Sequence, residues 1–298
     1  MTAPIFARSV GGTRRYSHPA RPGEAFLSVT SAVGLADKGV GLLKFYAREA
    51  ATALAGRVAD PAWQHLDRNA KNALFRRCLD APSAVARDAA TRGSAVHAAF
   101  EAHLLGQGNV APLDADGQAM LDAAVAVMDT NGFTPVSAEL TVARRLDGMG
   151  DGLVGFAGTM DILATDDAGD TWLLDLKTSK GNYPSTALQL AAYADGLVNG
   201  VVWLDDGTEF AGTELPSPTR AGIVHARPGY GALIDLSDAV FDARTLAAFH
   251  HLCGYAEFLN NVAPAAQSAI NAPIVADLAA GQDMNNNNNN TTIPEEAA

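Results

Sequence analysis

Apolar residues recur along this chain at two different periods, and the change between them divides it. Between residues 28 and 79, Leu42, Leu43, Tyr46, Ala47 and Ala50 recur at three- to four-residue intervals, and Trp63, Leu66, Leu74 and Phe75 follow beyond a break at Pro61. That spacing predicts two or more helices. A further helix is expected over residues 82–105, with Val85, Ala89, Val96, Phe100 and Leu104 on one face and Gly106 as its C-terminal stop, and another over residues 113–128. The period then falls to two. Val136, Ala138, Leu140 and Val142 point one way while Ser137, Glu139 and Thr141 point the other, the pattern of a half-buried strand.

Residues 156–164 and 171–178 read as two more strands, joined by the turn-forming run Asp166-Asp167-Ala168-Gly169-Asp170. A helix is expected over 185–197, strands at 200–204, 221–226 and 231–235, and a last helix over 239–259. The predicted fold class is α/β: a central mixed sheet containing an antiparallel meander, flanked by helices, behind an N-terminal helical region. Residues 1–24 have no apolar periodicity and read as a loose arm that adds little to the core. Residues 25–265 read as one domain, with a helical part over 25–112 and a core over 113–265. The tail at 279–298, with six consecutive asparagines from Asn285 to Asn290, is low-complexity and expected to be disordered.

Charge changes the picture. The formal net of -12 argues against a protein that coats nucleic acid without specificity, yet the distribution is uneven. Up to Arg92 there are 14 Lys and Arg against 7 Asp and Glu; beyond it there are 7 against 26. A basic first third ahead of an acidic remainder fits either a solvated helical surface or a footprint for a polyanion beside an acidic site. Cys78 and Cys253 lie far apart with no Cys-x-x-Cys pairing, which rules out a disulfide framework and a four-thiolate cluster. No leader-like apolar segment opens the chain, and no stretch approaches the ~18 apolar residues of a membrane span, so a cytoplasmic protein with no membrane partner is expected.

The candidate chemistry lies in the strands. In Asp175-Leu176-Lys177 the strand period puts the carboxylate and the ammonium on one face and Leu176 in the core. One strand earlier, Asp161 faces away from Met160 and Ile162, and Glu139 occupies the polar side of the first strand. Three acids brought together repel one another unless a cation neutralises them, and hard oxygen ligands suit Mg2+ or Mn2+.

The segments GSAVHAAFEAHLLG (93–106), SAELTV (137–142), GFAGTMDILA (155–164), WLLDLKTSKGNYPSTALQLAAYA (172–194) and GIVHARPGYGALIDL (222–236) resemble the RecB-like, CRISPR-associated-exonuclease-like branch of the PD-(D/E)xK nuclease superfamily, as in bacteriophage recombination exonucleases. Five separated motifs stand in that family's order across residues 25–260. The resemblance implies a restriction-endonuclease-like core and a Mg2+- or Mn2+-dependent deoxyribonuclease. It implies that His97, Asp161, Asp175 and the backbone carbonyl of Leu176 hold the metal, that Lys177 is the catalytic lysine, and that Glu139 is the acid of the first core strand. Gln189 and Tyr193 match a helix pair that braces the site and touches DNA. Many relatives of this branch hold a four-cysteine iron-sulfur cluster; two cysteines cannot, so none is expected here.

Lys180 and Tyr183, just past the Asp-x-Lys strand, are further DNA-binding candidates, and Arg14, Arg15, Arg76 and Arg77 are candidates to track the backbone. Ser28, Thr30 and Lys38 resemble an N-terminal stretch of the phage relatives. Glu101, one turn after His97, reads either as an exposed helix glutamate or as a partner that orients its imidazole, and His225 reads as structural. The expected reaction is phosphodiester hydrolysis of single-stranded DNA or duplex ends in recombination, replication or repair, in the host cytoplasm if phage-encoded, with an annealing protein as a possible partner. An endonuclease of the same superfamily and a catalytically silent DNA-binding protein stand as alternatives.

Overall fold

The computed structural model describes residues 6–10, 13–36, 40–107, 111–149 and 153–268. Lys38 and the tail at 279–298 lie outside them. The described residues form a mixed α/β fold around a ten-stranded sheet. Its centre is the meander that the period of two predicts: β4 (Thr134–Arg145), β5 (Gly155–Thr165) and β6 (Thr171–Lys177), each antiparallel to the next. Asp166 makes the second turn by accepting from the amides of Ala168 and Asp170 and from the Trp172 indole.

After β6 the chain crosses through α5 (Ser185–Asn199) and the short strands β7 (Val201–Trp203) and β8 (Glu209–Ala211). It returns as β9 (Arg220–Arg227), parallel to β6, followed by its hairpin partner β10 (Tyr230–Asp235). A parallel neighbour needs such a crossover, and here it lays α5 against β4, β5 and β6. Ile162, Ala164, Leu174, Leu176, Val224 and Ala226 pack from the sheet against Val96 and Phe100 of α3 (Arg68–Leu104) and Ala124, Val127 and Met128 of α4 (Ala115–Thr130). Alternation along β6 therefore commits its even residues to this core and leaves Asp175 and Lys177 free for the site.

Two elements depart from the sequence pattern. Within the stretch expected to be a loose arm, β1 (Ala7–Val10) and β2 (Thr13–Tyr16) pair antiparallel as a hairpin, which continues into β3 (Phe26–Ser28). Its anchors are distant in sequence: Phe6, Tyr16 and Phe26 pack with Trp203, His18 stacks on Trp203 at 4.8 Å, and Arg21 grips Glu209 with two 2.8 Å hydrogen bonds. The helix expected to begin at Pro82 begins at Arg68, capped by Asp67, and runs through the proline to Leu104. Cys78 and Pro82, one turn apart, are both buried, so packing outweighs the hydrogen bond that the proline removes. Gly106 ends the chain's helical run as the sequence indicates, with φ +65°.

Ahead of α3 stand α1 (Val29–Ala36) and α2 (Val40–Val58); after β10 come α6 (Ser237–Val240) and α7 (Ala243–Glu257). The chain divides into two compact units, residues 1–253 and 254–298. In the second, the rings of Tyr255 and Phe258 stack at 6.2 Å. No helix among the described residues is long and apolar enough to cross a membrane.

Candidate functional site

β5 is paired along one edge by β4, with a bulge between Pro135 and Ser137 and a break in the register at Glu139 and Asp161. On its other edge β3 covers Gly155–Ala157 in parallel and β6 covers Ile162–Thr165 antiparallel, so residues 158–161 have no strand beside them there. β6 leaves β5 after Leu174 and continues alongside β9 alone. This fork exposes backbone that a continuous sheet would satisfy. Asp161 fills the role, its Oδ2 accepting the Leu176 amide at 2.8 Å. One hydrogen bond thus ties the carboxylate of β5 to the strand that carries Asp175 and Lys177.

The fork opens into a cavity of about 180 Å3 lined by Arg14, Tyr16, Ser28, Thr30, His97, Glu139, Thr159, Asp161, Asp175, Lys177, Gln189 and Tyr193. His97, Glu139, Asp161, Asp175, Lys177, Gln189 and Tyr193, drawn from α3, β4, β5, β6 and α5, therefore share one space. Two larger clefts, of about 680 and 670 Å3, lie elsewhere. Asp122 is the one charged group of the first, and in the second Asp242 and Arg244 pair with each other.

Candidate ligand atoms of His97, Glu139 and Asp161 lie within 4.8 Å of one another, and His97 Nδ1 is 3.5 Å from Asp161 Oδ2. Glu139 reaches this cluster with φ +52°, a left-handed conformation that costs a residue with a Cβ roughly 1–2 kcal/mol. Such strain persists where the surroundings fix it, and functional sites are where it gathers. Burial, reinforced by the charges of Asp161 and Glu101, pushes the Glu139 carboxyl up to about 8. Glu101 is raised as well, by burial first and then by Asp205 and Asp161; it makes no hydrogen bond to His97.

Asp175 is 1% exposed, and it is held from both sides. Gln189 Nε2 donates to its Oδ1 at 3.0 Å, and Lys177 Nζ stands 2.5 Å from its Oδ2 as an ion pair. Burial raises the Asp175 carboxyl above its ordinary value even against Lys177. Burial lowers the Lys177 ammonium, but Asp175 and Asp161 outweigh it and the net shift is upward, so the lysine keeps its charge. Gln189 also donates to the Tyr193 oxygen at 3.3 Å and accepts from Lys177 at 3.5 Å. Its amide links three members of the site. Tyr193, fully buried, is held well above the ordinary phenol range by burial and then by Asp161, so its hydroxyl keeps its proton as a donor.

The donor set fits a hard divalent cation: one imidazole and several carboxylate oxygens facing one cavity. The tightest cluster is His97, Glu139 and Asp161, whereas Asp175 lines the same cavity but is engaged by Lys177 and Gln189. Lys180 and Tyr183 lie outside the cavity on the exposed loop after β6, and Arg76 and Arg77 are exposed on α3. Tyr16, Thr141 and Thr159 have no counterpart among the sequence candidates. Their hydroxyls form a chain, Thr141 to Thr159 at 2.9 Å and Thr159 to Tyr16 at 3.5 Å. Thr159 was legible in principle, two residues before Asp161 on the same strand; nothing local marks Tyr16.

No protein-family model matches this chain, and no curated protein matches it. Eleven solved chains match. Among them the crystal structure of SSO0001 is 13% identical, covering 80% of this chain and 79% of its own, with a TM-score of 0.33, a likeness too slight to bear on fold or site.

Proposed function

We propose that this chain is a metal-dependent deoxyribonuclease with a restriction-endonuclease-like core, working as an exonuclease on DNA ends. The observation that carries the reading is the convergence of His97, Glu139, Asp161, Asp175, Lys177, Gln189 and Tyr193 on one small cavity, with the buried Asp175 paired to the Lys177 ammonium there. The motif order along residues 25–260 supports the same reading. The phage resemblance makes recombination, replication or repair of DNA in the host cytoplasm the setting, with an annealing protein as partner.

His97, Asp161, Asp175 and Glu139, with the Leu176 backbone, would hold Mg2+ or Mn2+. When bound, the ion supplies a water of lowered pKa and neutralises charge on the scissile phosphate. The remaining roles belong to the chain. Asp161 is oriented by the Leu176 amide, and Asp175 by Gln189, so neither carboxylate has to reorganise. Lys177, kept positive by the two aspartates, serves as a point charge toward the phosphate and orients the attacking water. Tyr193 stays protonated and braces Gln189.

The test is degradation of end-labelled linear single-stranded and duplex DNA, beside a closed circle, with Mn2+ or with EDTA, by wild type and Lys177→Ala. Loss of linear DNA that needs metal, spares the circle and falls by about 100-fold or more in the variant is the expected result. Cutting of the circle would make the enzyme an endonuclease. DNA bound but never cut would leave a silent binding protein.

A further inference from the structure

The parallel register of β6 and β9 sets His225 directly beside Lys177. Its neighbours on β9, Val224 and Ala226, are fully buried apolar residues, and His225 itself is 6% exposed. An imidazole in that setting must find partners, and both of its nitrogens find them in one place. Nε2 is 2.9 Å from the Ser179 carbonyl oxygen and Nδ1 is 3.2 Å from Asn182 Nδ2. A carbonyl can only accept, so Nε2 carries the proton and donates; Nδ1 then accepts from the Asn182 amide. Tyr230 of the β9–β10 hairpin packs edge-on against the ring at 5.5 Å. Within the segment so gripped, Ser179 Oγ donates to the Gly181 carbonyl at 2.7 Å, and at its far end the Tyr183 and Pro184 carbonyls accept from the amides of Thr186 and Ala187 in α5.

That segment, residues 178–184, is the link between the strand that bears Lys177 and the helix that bears Gln189 and Tyr193. It presents Lys180 and Tyr183 outward, the latter 57% exposed. We infer that His225 is a positioning residue for the substrate strand: by clamping Ser179 and Asn182 it fixes the loop on which Lys180 meets a DNA phosphate and Tyr183 stacks on a base next to the cleaved bond. This rests on the nuclease reading above. His225 touches neither metal nor scissile phosphate, and its effect passes through the loop to DNA affinity.

Four variants test the clamp. His225→Leu fills the space without either hydrogen bond, His225→Gln keeps an N–H for Ser179, and Lys180→Ala and Tyr183→Ala remove the two DNA contacts at an exposed surface. For DNA, His225→Leu is expected to raise KM about tenfold, the loss of roughly 1.4 kcal/mol of binding, with His225→Gln recovering most of it. Turnover of bis(p-nitrophenyl) phosphate, a diester too small to reach the loop, should stay within about twofold. Combining His225→Leu with Lys180→Ala or Tyr183→Ala should add little to either single change, because the released loop has already lost both contacts. A second readout needs no activity: trypsin should nick after Lys180 faster in His225→Leu than in wild type or His225→Gln. Full additivity, unaltered nicking, or an equal loss on the small diester would each overturn the clamp. A wild type that cleaves neither DNA nor the diester would instead remove the nuclease reading on which it stands.

Discussion

Glu139 concentrates the cost of the site in one residue. Its left-handed backbone and half-buried carboxyl are tolerated beside Asp161 and Glu101, and the proton it retains to about pH 8 is the relief. In an unfolded chain the same group titrates near 4.5. Between those values the native state binds a proton that the unfolded state has released, so stability must fall as pH rises from about 5 to 8. Glu101 and Asp175 are raised too and add to the same slope. In EDTA, the melting temperature should drop by about 5 °C or more across that interval, and Glu139→Gln should remove most of the drop. Mn2+ should stabilise the wild type more at pH 8 than at pH 6, since the ligands are then ionised. A flat profile for the wild type would mean that Glu139 is not held neutral. Of this, the sequence carries the identity of the acids but not their coupling. Asp161, Asp175 and Lys177 are legible because the strand period fixes which way each points, whereas the twisted backbone of Glu139 depends on Asp161 and α3, both distant along the chain.

At the scale of elements, the fork in the sheet depends on close approach. A Cβ on Gly158 would stand 2.7 Å from Tyr193 Cε1 and 3.1 Å from the Val29 side chain, so β5, α1 and α5 meet there with no room for a methyl group. Tyr193 is a rigid ring, 2% exposed and hydrogen-bonded to Gln189, so it cannot yield without moving the amide that orients Asp175. Gly158→Ala should therefore cost about 1–3 kcal/mol in urea unfolding and at the same time lower kcat by about tenfold or more. Destabilisation with kcat intact would show that Tyr193 and Gln189 shift independently. The meander and α5 are legible in sequence because their periods run for seven residues or more. The β1–β2 hairpin is not: its strands are four residues each, and the cluster that buries Phe6 and His18 includes Trp203, which lies far downstream. With the hairpin unread, the contribution of Tyr16 to the site went unread as well, and Arg14 was legible only as a surface charge.

The whole molecule joins a basic first third to an acidic remainder, and α3 bridges the two. Arg76 and Arg77 lie exposed near its start and His97 near its end. Twenty-one residues of helix separate Arg76 from His97, about 30 Å at 1.5 Å per residue. A duplex rises about 3.4 Å per base pair, so roughly nine pairs are needed before DNA seated in the site reaches those arginines. Length then becomes the discriminating variable between a footprint and a solvated surface. For a 20-base-pair duplex, Arg76→Ala with Arg77→Ala should weaken binding and reduce the slope of log affinity against log salt by about 1.8, or by about 1.4 for a single strand, since each lost phosphate contact removes about 0.9 or 0.7. For a five-base-pair duplex the double substitution should change neither quantity. Fluorescence anisotropy of labelled oligonucleotides with the Lys177→Ala protein, titrated at several salt concentrations, measures both. An unchanged slope on the long duplex would assign the arginines to solvent, and a change equal on both lengths would mean that they act on the overall field of an acidic protein rather than on a phosphate they touch.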